Sequence, residues 1–437
     1  MDTRINERLL SFSAASHAPL RVAVLVDLPL GAAAGGHVRC WERLAEAARD
    51  FSNELDITVH FMGAERERRE LSGTVRYSID PPVFATHRLP FLSHVPDHTD
   101  LSPWHPALAR RLAQYDVIHT TDAYFAYART AMVVSRRKNI PIVNSVHTNT
   151  PAYARLFTAA TIERLFGGTA IARLLLARFD VAQRMERRML RQLARYQREC
   201  AFVLVSRPDQ LADIRERLGE RAGLLRRGID RRMFHPARRD RAWLAQRYGV
   251  PPERLTILAA GRLNRGKNIL LLTEAVELLL RQGVDAHLIC AGDGEERAAV
   301  MERLGPAASC PGHVDPAELA RLYAAADVFA LPSRIEESAN VLLEALASGL
   351  PVLVARDSGM GRAVRDRETG LVLPGSEPAA WAEALAELAR QPARRQAMAR
   401  AARNYAEASV PSWHDVLAQD LLPRWEEAAR QRRPIAA

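Results

Sequence analysis

The strand signals of this chain come in two series, and the break between them limits the fold more than any other feature. Continuous apolar runs of buried-strand type stand at RVAVLVD (21–27), ITVHFMG from 57, DVIHTT from 116, PIVNSVH from 141, AFVLVS (201–206) and GLLRRG (223–228). Between them lie helical stretches at 37–50 and from 124, a Pro- and His-rich loop at 81–106, and a long helical region before residue 201. Strands that are apolar throughout are buried on both faces, and strands alternating with helices build a parallel sheet covered on both sides. The polar segment RRGIDRRMFHPARRD (226–240) then ends in a proline turn. After it the pattern restarts with LTILAAG (255–261), AHLICAG (286–292), DVFALPS (327–333), PVLVA (351–355) and GLVLPG (370–375). This predicts an α/β chain of two doubly wound, Rossmann-like domains facing a central cleft, which suits 437 residues. The first spans 20–228 and the second 229–411. Residues 1–19 read as a loose, disordered tail, and the last helical stretch, 412–437 with Trp413 and Trp425, is expected to pack back onto the first domain.

With 48% apolar and 26% charged residues, the composition is that of a globular protein, not a disordered or fibrous one. No apolar run approaches the ~18 residues of a membrane span, and residues 1–19 lack the apolar core of a signal peptide. Cys40, Cys200, Cys290 and Cys310 are scattered without CxxC or zinc spacing, so no metal site and no disulfide framework is expected. A cytoplasmic protein fits. The net charge of +10 suits nucleic acid, an anionic membrane face or an anionic substrate equally well, so its location decides. Residues 155–198 hold ten arginines against Glu163, Asp180 and Glu186. Leu175, Phe179, Ala182, Met189, Leu193 and Tyr196 recur there at helical spacing. A basic amphipathic helix suits peripheral attachment to the anionic inner face of a membrane. The other reading is a core helix with solvated arginines. No recognition motif accompanies the charge, so nucleic acid is not an expected partner.

In open parallel sheets, ligands bind where loops leave the carboxyl ends of strands. Three such loops carry chemistry. GAAAGGH (31–37) puts Gly35 and Gly36 ahead of a helix, where backbone amides can approach a phosphate, although a plain strand-to-helix turn has the same look. GRLNRGKN (261–268) puts Arg262 and Lys267, one of only two lysines, before another helix, as a diphosphate clamp or a solvated turn. PSRIEESANVLLEALASGLPVLVA (332–355) spaces Glu336 and Glu344 eight residues apart. Eight helical residues rise ~12 Å, whereas paired glycosidase carboxylates sit roughly 5 to 10 Å apart, so two separate contacts to one long ligand fit better than a catalytic pair. Glu336 can instead favour the helix dipole, and Glu344 can be a solvated face residue. The apolar neighbours Leu342, Leu343, Ala345 and Leu346 point to a buried Glu344 with a partner.

In their order along nearly the whole chain, GGH, DVIHTTD, IPIVNSVHT, FVLVSRPDQL, GIDRRMFHP, GRLNRGKN, AGDGEE, GHVDPAELARLYAAADVFALPS and the Glu-x7-Glu block resemble the retaining GT-B glycosyltransferases of group 1. The resemblance implies transfer of a hexose from a UDP- or GDP-linked donor to a lipid or glycan acceptor. The first domain would hold the acceptor and the second the nucleotide, with no cofactor besides the donor and no metal. It implies that Arg262 and Lys267 bind the donor diphosphate, Glu344 the ribose, Glu336 a sugar hydroxyl, and that His147 in SVHTNT faces the transferred sugar. Gly35 and Gly36 would approach the diphosphate from across the cleft, and Asn340 and Val341 open the helix that carries Glu344. Glu337, Ser338 and Ala339 depart from the family's small residue, aromatic and glycine. That departure motivates a different reading, a GT-B-shaped binding or assembly protein without turnover; a nucleotide-sugar epimerase on the same architecture is a third.

Overall fold

The computed structural model describes residues 18–31, 34–89, 99–333 and 340–431. The first sheet contains β1 (Leu20–Pro29), β2 (Leu55–Met62), β3 (Glu67–Ser72), β4 (Val75–Asp80), β5 (Val117–Thr120), β6 (Ile142–Val146), β7 (Phe202–Val205) and β8 (Ala222–Leu224). Their order is β3-β4-β2-β1-β5-β6-β7-β8, parallel except for β3. The second contains β9 (Leu255–Ala260), β10 (Ala286–Ala291), β11 (Ala308–Gly312), β12 (Val328–Leu331), β13 (Val352–Ala355) and β14 (Gly370–Leu373). Its order is β11-β10-β9-β12-β13-β14, all parallel. Strand order reverses beside β1 and β5 in one sheet and beside β9 and β12 in the other, which is where such sheets open a ligand crevice. This is the predicted pair of doubly wound domains.

Alternation along each central strand explains the two-sided burial. Val22, Val24 and Val26 face a core with Trp41 and Leu44, while Ala23 and Leu25 face another with Tyr127 and Ala131. In the second domain Leu255, Ile257 and Ala259 pack with Trp381, and Leu258 and Ala260 with Tyr323. The chain crosses between domains twice, side by side. The Ile229 amide donates to the Pro411 carbonyl at 3.0 Å, and the Arg226 guanidinium pairs with Asp420 at 2.6 Å. Trp413, Val416, Leu417, Leu421, Trp425 and Ala428 then join the core on the Trp41 side of the first sheet.

Three strands escaped the sequence reading: β4 (VRYSID), β3 and β11. β3, ERRELS, is a charged and exposed edge strand, and such edges resist unwanted pairing at the cost of looking like loop. β11, ASCPG, is another edge, carrying a proline that a central strand would not accept. The basic region forms helices Thr150–Phe166 and Val181–Glu199, which pack on each other. Its apolar stripe divides. Ala182 and Tyr196 are buried, and the Tyr196 hydroxyl donates to the Ala128 carbonyl and lies equally near Thr120 Oγ1, at 3.2 Å each, whereas Phe179 is exposed. Of the ten exposed large apolar residues among those described, seven lie in this region: Leu165, Phe166, Ile171, Leu174, Phe179, Met185 and Leu190.

Candidate functional site

The loops after β1 and β9 meet across the cleft. Gly35 caps the helix Gly36–Ala48 in an extended conformation without a side-chain cap, so no side-chain oxygen occupies that amide-rich end. The Arg262 guanidinium lies against it: a Cβ on Gly35 would come within 2.7 Å of Nη2. From the second domain, Asn340 opens the helix Asn340–Ala347, and its Nδ2 donates to the Gly36 carbonyl at 3.3 Å. Gly35, Gly36, Arg262 and Asn340 are thus brought together, and two helix N-termini converge where an anion is best stabilised.

The GRLNRGKN loop is held from below. Gly292 has φ +154°, and a Cβ there would fall 1.9 Å from the Gly261 carbonyl, so the loops after β9 and β10 touch backbone to backbone. The Lys267 amide donates to the Asn264 carbonyl at 2.9 Å, closing a turn. Asn268 Nδ2 donates to the Gly375 carbonyl at 3.1 Å, and Ser333 Oγ to the Gly266 carbonyl at 3.0 Å. Arg262 and Lys267 therefore sit on a loop anchored to the ends of β12 and β14. Val341 packs against the second domain's core. One turn further along, Glu344 has its Oε2 enclosed without a hydrogen-bond partner. The Tyr323 hydroxyl faces it without closing a hydrogen bond of good geometry. Burial pushes this carboxyl up to about 7, against the pull of Tyr323 and of the Arg43 charge. A buried carboxylate with an unfilled oxygen is costly unless a ligand donates to it. Glu336, Glu337, Ser338 and Ala339 lie outside the described residues.

His147 follows β6 and is 6% exposed. Its Nε2 receives the Trp41 indole N–H at 3.3 Å and lies 2.7 Å from Ser145 Oγ, while its Nδ1 is buried without a partner. The His37 ring stacks on it at 4.3 Å, 10° from parallel. Ser145 Oγ is also 2.7 Å from His119 Nε2, and His119 Nδ1 receives the Trp425 indole N–H at 3.0 Å. Arg227, buried in the crossing segment, donates to Cys40 Sγ at 2.6 Å. Burial holds His37 and His119 down to about 3 and His147 well below its usual range, with the Arg227 charge adding to the effect on His37 and His147. All three imidazoles are neutral. Sequence reasoning singled out His147 and expected Trp425 to pack back onto the first domain, but missed His119, Trp41 and Arg227, because apolar strands and helices hide a buried polar chain. The GGH motif contained His37 without revealing its role.

Residues 34–233 match the family model described as Glycosyltransferase Family 4, and residues 254–391 the one described as Glycosyl transferases group 1. Each half of the chain thus matches a glycosyltransferase family model, the group 1 model covering the second domain. It is 33% identical over 260 residues to a D-inositol 3-phosphate glycosyltransferase of Corynebacterium urealyticum, covering 54% of this chain and 61% of that one. A relative of the same name from Thermomonospora curvata is 27% identical over 314 residues, 67% of each chain. The matched stretch is 61% and 46% of the length of two such relatives, from C. urealyticum and Segniliparus rotundus. Sucrose-phosphate synthase from Thermosynechococcus elongatus superimposes with a TM-score of 0.67 at 19% identity, over 94% of this chain and all of that one. WaaG, a glycosyltransferase of lipopolysaccharide biosynthesis, does so at 0.60 and 19%, over 95% of this chain and all of that one. Anabaena HepE, in complex with UDP and glucose, gives 0.63 at 16%, over 92% of this chain and 98% of that one. The shared fold is GT-B.

Proposed function

We propose that this chain is a retaining hexosyltransferase that moves a sugar from a UDP- or GDP-linked donor to a lipid or glycan acceptor. The observation that carries the reading is the meeting of Gly35 and Gly36 with Arg262 and Asn340, which sets two helix N-termini and a cationic loop around one small volume. Departure of a nucleoside diphosphate develops negative charge, and fixed amides with Arg262 and Lys267 stabilise it where it forms. Glu344 accepts from the ribose hydroxyls, Glu336 from a hydroxyl of the donor sugar, and His147 faces the sugar being transferred. Asn340 and Val341 bring the backbone of their helix to the phosphate. The positive charge comes from the protein, so transfer proceeds without a metal. The HepE complex with UDP and glucose supports a nucleotide-sugar donor. The relatives' names make a phosphorylated cyclitol one acceptor to screen. The exposed apolar residues among the arginines of 155–198 support a lipid acceptor met at an anionic inner-membrane face.

The test is release of UDP or GDP by the full chain from a panel of nucleotide sugars with membrane extract, with the anomer of the product read by NMR. Lys267→Ala should lower kcat about 100-fold, the usual cost of one donor to developing charge. Excess EDTA should leave the rate unchanged. Nucleotide binding without release in any extract would instead establish a binding protein, and sugar interconversion without acceptor an epimerase.

A further inference from the structure

The chain from Trp425 to His147 has one consistent set of proton positions. An indole nitrogen only donates, so His119 Nδ1, which receives Trp425 at 3.0 Å, is an acceptor. A neutral His119 then carries its proton on Nε2 and donates it to Ser145 Oγ, 2.7 Å away. The serine has one hydrogen left to place, and its other near partner is His147 Nε2, also at 2.7 Å. Trp41 donates to that same nitrogen at 3.3 Å. Two donors on Nε2 leave the His147 proton on Nδ1, which is the buried atom without a partner. The parallel His37 ring at 4.3 Å restrains the imidazole from turning over.

We infer that Trp425 and Trp41 are positioning residues that lock His147 as the Nδ1–H tautomer, a neutral donor held ready for a hydroxyl of the bound substrate. Its assignment to a substrate hydroxyl rests on the proposed glycosyl transfer; the tautomer does not. The arrangement gives the returning C-terminal helix a second role besides packing. Trp425 is 306 residues from His119 in sequence, and it makes the state of the buried His147 imidazole depend on whether that helix is seated. A locked donor needs no reorganisation when substrate arrives, whereas an imidazole free to exchange tautomers presents the proton only part of the time.

The full chain labelled with 15N-histidine tests this without turnover. Pyrrole-type and pyridine-type nitrogens are distinguished by their couplings to the ring protons, and His147→Gln and His119→Gln assign the signals. The expected wild-type spectrum shows His147 protonated at Nδ1 and His119 at Nε2. Trp425→Phe should turn His119 into a tautomer mixture and move the His147 signals. In sugar transfer it should lower kcat about tenfold, the worth of one well-placed hydrogen bond, with donor KM within about twofold. A wild-type His147 protonated at Nε2, or at both nitrogens, overturns the inference even if neither tryptophan variant folds. So do unchanged tautomers in folded Trp41→Phe and Trp425→Phe proteins. A chain that shows the expected tautomers and transfers no sugar keeps the lock and removes the proposed function.

Discussion

Arg262 and Gly35, from different domains, approach so closely that a methyl group on Gly35 would displace the guanidinium: a Cβ there would lie 2.7 Å from the arginine Nη2. Gly35 has φ −73°, a conformation open to any residue, so an alanine there meets steric conflict with Arg262 and no backbone strain. Gly35→Ala should therefore leave the melting temperature nearly unchanged while weakening nucleotide binding about tenfold or more, as read by calorimetry. Arg262→Ala should cause a comparable loss. Because the two residues act through one contact, the double variant should be little worse than either single one. Additive losses would show that they act separately.

Glu344 links stability to binding through pH. Its carboxyl stands at about 7 in the fold against an ordinary value of 4.5, so the folded protein holds a proton that the unfolded chain releases. Its contribution is intact below about pH 4.5 and is lost as pH rises toward 7, leaving a penalty of about 3 kcal/mol above that. Glu344→Gln should accordingly raise the melting temperature of the ligand-free protein at pH 8 and change it little at pH 4. Accepting from ribose hydroxyls needs the carboxylate. Donor affinity should fall about tenfold between pH 8 and pH 6 in the wild type, and the glutamine variant should bind weakly at both. A flat wild-type profile would remove Glu344 from the ribose contact.

How far the sequence disclosed this arrangement depended on whether the signal was local. β1 and β9 were legible because burial on both faces forces runs such as VAVLV and TILAA. Arg262, Lys267 and Glu344 were legible because each lies on a short segment with its own pattern. The Trp425–His119 bond carries no such signal: the two residues come from a terminal helix and a central strand, and each alone looks like core. The meeting of Asn340 with Gly36 is likewise set by domain placement, 304 residues apart, and no local rule anticipates it. β3 was hidden for the opposite reason, since its charges answer to solvent and not to the sheet.

Asp27 at the end of β1 and Asp122 after β5 are a buried acidic pair at the switch point. Asp27 Oδ1 and Asp122 Oδ2 have no hydrogen-bond partner, although the Tyr127 amide donates to Asp27 Oδ2 at 3.2 Å. Burial, with the Asp122 charge adding, raises the Asp27 carboxyl well above its usual range. This contribution is likewise fully present at low pH and lost as pH rises through the raised value. Asn at position 27 can still accept from the Tyr127 amide, and it carries no charge. Asp27→Asn should raise the melting temperature at pH 8 and have a smaller effect at pH 4. An equal shift at both values would show that charge burial is not the cause.

The basic helices pose a choice that mutation can resolve. Leu174 and Leu190 are 47% and 49% exposed, and Arg187, Arg188 and Arg191 are exposed beside them, so substituting either set costs the fold little. On an anionic membrane the arginines are each worth about 1 kcal/mol, so Arg187→Glu, Arg188→Glu and Arg191→Glu together should reduce cosedimentation with phosphatidylserine-containing vesicles about 100-fold or more. Leu174→Asp with Leu190→Asp should reduce it even at low salt, because they remove the apolar contact and not only the attraction. Raising the salt should weaken both the wild type and the leucine variant, whose remaining attraction is electrostatic, and affect the arginine variant less, since screening acts on the charged part alone. Equal binding to purely zwitterionic vesicles would exclude an electrostatic dock. Absence of binding to either kind would leave the arginines as a solvated face and return the acceptor to solution.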